Sequence, residues 1–183
     1  MISIRRSIIL IFVFSLIFTS FSIAQDIAKA KVAKDTTIAE ILKTETIYVD
    51  VPNTSVQIIP PAHFIFMEQA GGFLHVGTSS SIQVQEITGT AYTMITPGLT
   101  KDYFKSQGVT LLAEEDIITK SGQKGKLFTV SFVVENVEFE RLMFFTGDYN
   151  KTIWINANYP VAVKEILNVV LKESLLTAKF KQQ

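Results

Sequence analysis

GKLFTVSFVVENVEFERLMFFTGDYNKTIWINANY, residues 125–159, reads as three consecutive β-strands. From Gly125 to Val134 the apolar residues Phe128, Val130, Phe132 and Val134 recur at every second position, the period of a pleated strand with one greasy face. Glu135 and Asn136 leave room only for a tight hairpin into Val137–Thr146, and Gly147, Asp148, Tyr149 and Asn150 make a second turn into Thr152–Tyr159. In that last run Ile153, Ile155 and Ala157 point one way, while Trp154, Asn156 and Asn158 point the other. The second face is therefore the less apolar one.

A helix follows directly. Pro160 suits a first helical turn, and Val163, Ile166, Leu167, Val170, Leu171, Ser174 and Leu175 then mark one side of a helix running to about Leu176. Lys164, Glu165, Lys172 and Glu173 supply its wet side, so the helix is expected to cover one face of the sheet. Upstream, Val56 to Ile59 is strand-like and stops at Pro60 and Pro61, which cannot donate to a central ladder. His63–Gln69, Phe73–Val76 and Ser81–Ile87 read as short strands of a meander, separated by turns at Gly71, Gly72 and at Gly77 to Ser80. Gly89–Gly98 reads as an irregular loop, Leu99–Gln107 as a short helix closed by Gly108, and Val109–Thr119 as a further strand that turns through Ser121 and Gly122. A single α+β domain over residues 47–183 is expected, with a first strand at Thr46–Val51.

The amino end has a different grammar. Arg5 and Arg6 precede an unbroken apolar run from Ile8 to Phe18, and small residues up to Ala24 follow. This is the three-part order of a cleavable secretory signal over residues 1–24, with cleavage expected after Ala24. A spanning helix needs about 20 apolar residues, and Ser and Thr interrupt this run first, so no stable membrane insertion is expected after cleavage. Residues 25–46 are rich in Ala, Lys, Thr and Asp. They read as a polar leader, or as a short helix built on the stripe Ile38, Ile41 and Leu42.

Composition bounds the chemistry. With no cysteine among 183 residues there is neither a disulfide nor a lipid-bearing thiol, so the fold rests on its core alone. Basic and acidic residues number 17 each, and loss of Arg5 and Arg6 with the signal leaves 15 basic residues. Such a chain lacks the basic field that nucleic acid requires.

Few side chains make a site by spacing. His63 and His75 are the only two histidines, without the further ligands a metal centre needs. Glu114, Glu115 and Asp116 form an acidic cluster in which Glu114 and Asp116 share a strand face. A cation grip or shared proton is conceivable there, but a solvated edge that discourages aggregation is the simpler reading. Ser79, Ser80 and Ser81 lack the spacing of a nucleophile elbow or phosphate loop and read as turn residues. Gly122 and Gly125 read likewise. The sequons at Asn53 and Asn150 are treated as chance occurrences. No catalytic residue, metal or cofactor is expected. Tyr92, Met94 and Trp154, with Tyr149, could build an aromatic surface for a partner or an amphipathic ligand, although aromatic residues more often end in a core.

Val56-Gln57-Ile58-Ile59-Pro60-Pro61 with Phe64, Gly72 and Phe73, then Gly108 to Phe128, then Phe145-Thr146-Gly147-Asp148 through Tyr159-Pro160, give the chain a resemblance to the PsbP-like superfamily. That group includes photosystem extrinsic proteins, a Ran-binding nuclear import factor and periplasmic DcrB-like proteins. The resemblance implies an antiparallel sheet of about six strands sandwiched by helices, and a bacterial exported protein that is periplasmic or extracellular. It implies no common active site, because members act mostly by docking onto other proteins or assemblies.

The expected function is therefore a non-enzymatic exported module that binds a protein partner or envelope component. The alternative is a carrier of a small apolar ligand or lipid, lined by the Phe-rich strands from Phe128 to Phe145. A hydrolase built on Glu114, Asp116 and a histidine is a more distant third. No feature fixes an oligomeric state.

Overall fold

The computed structural model describes residues 47–181, so the signal segment 1–24 and the leader 25–46 lie outside the described residues. Seven strands form one antiparallel sheet in the order β3-β4-β5-β9-β8-β7-β6. They are β3 (Ile65–Met67), β4 (Gly72–His75), β5 (Ser80–Thr88), β6 (Thr110–Ile118), β7 (Lys124–Val134), β8 (Val137–Gly147) and β9 (Lys151–Pro160). A second sheet of three short strands, β1 (Val49–Asp50), β2 (Val56–Ile58) and β10 (Lys179–Phe180), runs β1-β2-β10.

The quoted run folds as read. Glu135 and Asn136 both take positive φ, 48° and 65°, the conformation of a type I′ hairpin whose twist matches the strands it joins. Gly125 shows why glycine begins β7. A Cβ there would lie 2.2 Å from the Phe144 ring and 2.5 Å from the Phe145 carbonyl oxygen, closer than any packing allows.

The faces of the sheet are covered differently. On the first face, Ile82, Leu127, Phe144 and Ile155 pack against Leu167, Leu171 and Leu175 of α3 (Lys164–Leu176) and against Val56 and Ile58 of the small sheet. On the second face, Phe128, Met143, Phe145 and Trp154 pack under Ile95 and Phe104, which belong to α1 (Tyr92–Ile95) and α2 (Lys101–Ser106). The result is the α+β sandwich expected from the sequence. Thr100 caps α2 by accepting the Tyr103 amide, and Gly108 follows its end with φ 71°.

Three local readings need correction. Val56–Ile58 leaves the meander to pair with Lys179–Phe180 from the far end of the chain. No local pattern announces such a partner. Gly89–Gly98 is not an irregular loop. It holds α1 and a 3₁₀ turn at Thr96–Gly98, too short to display a period, held because Ile95 and Leu99 are buried. Pro160 does not open the helix but closes β9, extended at ψ 139° and paired with Phe139, and a 3₁₀ turn at Val161–Val163 intervenes. The ladder to β8 runs one step further than the proline suggested.

Candidate functional site

Register places the side chains of the second face in rows. One row runs Ile65, Leu74, Ser81, Asn158, Arg141 and Val130 across β3, β4, β5, β9, β8 and β7, and the next includes Met67, Gln83, Asn156, Met143 and Phe128. The cluster under α1 and α2 includes Val130, Met143 and Trp154. Beyond it the face is polar and more open. Ser81, Gln83 and Asn158 are half-buried, and Ile65 at the edge is 70% exposed.

At the boundary sits Arg141, 7% exposed. Its Nε donates to Asn158 Oδ1, and Asn158 Nδ2 donates onward to Ser81 Oγ at 3.1 Å. The guanidinium carbon lies 4.9 Å from the centroid of the Phe132 ring, which itself stacks on Phe139. Among the described residues no carboxylate lies within ion-pair distance of Arg141. Desolvation brings its pKa down to about 10, so it stays charged at neutral pH. A buried charge without a counter-ion is costly. In the next row of the same face, Asn156 is 2% exposed, and its Oδ1 is without a hydrogen-bond partner.

Behind Arg141, on the first face, Glu140 is satisfied internally. It accepts from Tyr159 Oη at 2.6 Å and from Lys164 Nζ at 2.6 Å, and Asn168 Nδ2 donates to the same tyrosine oxygen. Burial, reinforced by the Glu140 carboxylate, holds the Tyr159 hydroxyl well above its ordinary pKa. This network pins α3 to the sheet. Neighbouring strand residues of opposite charge thus meet opposite fates, one paired in the core and one unpaired on the other face.

The residues singled out from sequence do not converge. Trp154, expected beside Tyr92 and Met94 on a surface, is 1% exposed beneath α1 and stacks on Phe145, which corrects that expectation. Tyr92 is half-buried against the same cluster, while Met94 points outward at 76% exposure. Tyr149 is exposed in the β8–β9 turn. Glu114 and Asp116 do share a face, and Lys126 bridges them at 2.8 and 3.1 Å on the edge strand, the ordinary solvated-edge arrangement. His75 is buried, stacked on Phe64, with Nδ1 2.8 Å from Thr78 Oγ1. Ser80 joins the same turn by bonding the Thr78 carbonyl. Among the described residues no group of three or more acidic, His or Cys side chains could hold a metal.

Arg141 was overlooked in the sequence although a signal exists. It is the last charge before the apolar run Leu142 to Phe145, on the same strand face as Met143 and Phe145, a position where buried charge calls for explanation.

The solved structures with a similar architecture match over most of the chain. LpqN, involved in cell envelope biogenesis of Mycobacterium tuberculosis, aligns at TM-score 0.50 and 10% identity over 73% of this chain and 82% of its own. Cyanobacterial PsbP from Synechocystis sp. PCC 6803 matches at TM-score 0.41 and 17% identity, covering 74% of this chain and 81% of its own. A Pseudomonas aeruginosa protein of unknown function matches at TM-score 0.47 and 13% identity, over 57% of this chain and 74% of its own. The likeness is one of fold. No family model and no curated protein matches the chain.

Proposed function

We propose that this protein is an exported, non-enzymatic binding module that docks onto a protein partner or envelope component through the open half of the second sheet face. The observation that carries this reading is the division of that face. One half is sealed by α1 and α2, and the other presents Ser81, Gln83 and Asn158 beside a buried cation. Side chains of this type bond peptide groups and polar headgroups and offer no nucleophile–base pair. The signal-like amino end supports export, and no helix of the described residues is long and apolar enough to cross a membrane. The fold shared with an envelope-biogenesis protein is compatible with the reading. The Phe-rich strands that an apolar carrier would use are spent on packing instead. Phe128 and Phe145 meet edge to face at 6.0 Å within the cluster under α1 and α2.

A photoreactive residue at Ile65, on the open half, should capture a discrete partner in the native envelope. The same residue at Val169, exposed on the outer side of α3, should not. Equal capture from both positions, or capture from Val169 alone, would remove the open face as the docking surface.

A further inference from the structure

Within that docking reading, on which this inference rests, the chemistry around Arg141 specifies what the partner presents. We propose that Arg141 is an anion-recognition point and that it takes a carboxylate from an acidic segment of the docked protein.

Geometry restricts the incoming group. Phe132 lies against the guanidinium plane, and Asn158 occupies Nε. What remains is the edge carrying the two Nη groups, whose parallel N–H bonds form the fork that a planar carboxylate accepts bidentately. Lysine could not reproduce it.

The surroundings favour a peptide over a free anion. Gln83 and Ser81 offer further amide and hydroxyl contacts on the adjoining strand. The apolar edge at Ile65 and Met67 takes a flanking side chain. Charge complementarity accounts for the rest: docking supplies the counter-ion that the described residues withhold, and it does so where partial desolvation strengthens the attraction.

The test follows the Arg141 Nε–Hε signal in isotope-labelled protein during titration with the acetylated, amidated tripeptide Ala-Glu-Ala, with its Ala-Gln-Ala counterpart, and with inorganic phosphate at matched ionic strength. The Glu peptide should shift the signal saturably, the Gln peptide should not, and phosphate should bind more weakly. In Arg141→Lys the Glu peptide should bind at least about ten-fold more weakly, the consequence of losing one charge-assisted hydrogen bond. Equal shifts with both peptides, tighter binding of phosphate, or undiminished binding to the lysine variant would each overturn the carboxylate assignment. A thermal scan of Arg141→Met separates recognition from scaffolding. Its Tm should stay level or rise, because an unpaired desolvated charge has been removed, and a collapse of the fold would make Arg141 a structural strut. If the titration is flat while crosslinking from Ile65 persists, the anion point fails and the docking surface stands. If crosslinking fails while the Glu peptide binds, the docking reading fails instead.

Discussion

Trp154 lies almost flat on Phe145, ring centroids 5.5 Å apart and 10° from parallel, and its Nε1 has no hydrogen-bond partner. An indole N–H left unmade in a core costs about 1–3 kcal/mol, so the aromatic packing around it must outweigh that loss. Stacked rings add roughly 0.5–1.5 kcal/mol beyond the area they bury. As the sole tryptophan, it reports its own environment. Native fluorescence should be blue-shifted and resist iodide, and Trp154→Ala should lower unfolding free energy by about 3–5 kcal/mol in denaturant titration. Free quenching in the native state would place the indole in solvent and contradict the buried position.

At the scale of elements, α3 is attached to the sheet by more than its leucines. Tyr159 of β9 and Glu140 of β8 meet Lys164 and Asn168 of the helix, and Lys172 reaches Glu115 of β6 at 2.8 Å. The last pair is substantially exposed and contributes little. The Tyr159 hydroxyl is different, because it is a buried hub for two partners. Tyr159→Phe keeps the ring in place but strips a bond from Glu140 and one from Asn168, and should destabilise by about 1–3 kcal/mol. Lys172→Ala should stay within about 0.5 kcal/mol. Comparable losses in the two variants, measured by urea unfolding, would mean that the network does not anchor the helix.

For the whole molecule, pH dependence near neutrality is expected to come from His75. Burial, and then the charge of His63, lower its pKa from 6.5, so the folded state favours the neutral ring more than the unfolded chain does. The folded protein then binds fewer protons, and its stability is complete above about pH 6.5 and falls as pH drops toward the folded pKa. Glu86 gives a loss in a separate, lower window. Burial raises its pKa, but the Ser55 and Lys151 hydrogen bonds outweigh that and hold it below 4.5. Urea midpoints should therefore decline between pH 7 and pH 5 in the native protein and flatten in His75→Asn. An unchanged slope in the variant would shift the effect to another group.

Alternation along residues 125–159 and the tight turn at Glu135 and Asn136 were legible without coordinates, as was the stripe of α3, because strand period, hairpin length and helix period are properties of neighbours in the chain. So was the assignment of Trp154 and Asn158 to one side of β9. What tertiary packing alone settled was the fate of that side. The short α1 and α2 pack over Trp154 and Val130, leaving Arg141 and Asn158 at their margin. Coverage depends on where a distant segment lands, and pleat alternation is blind to that, just as it is blind to the pairing of Val56–Ile58 with residues near the far end.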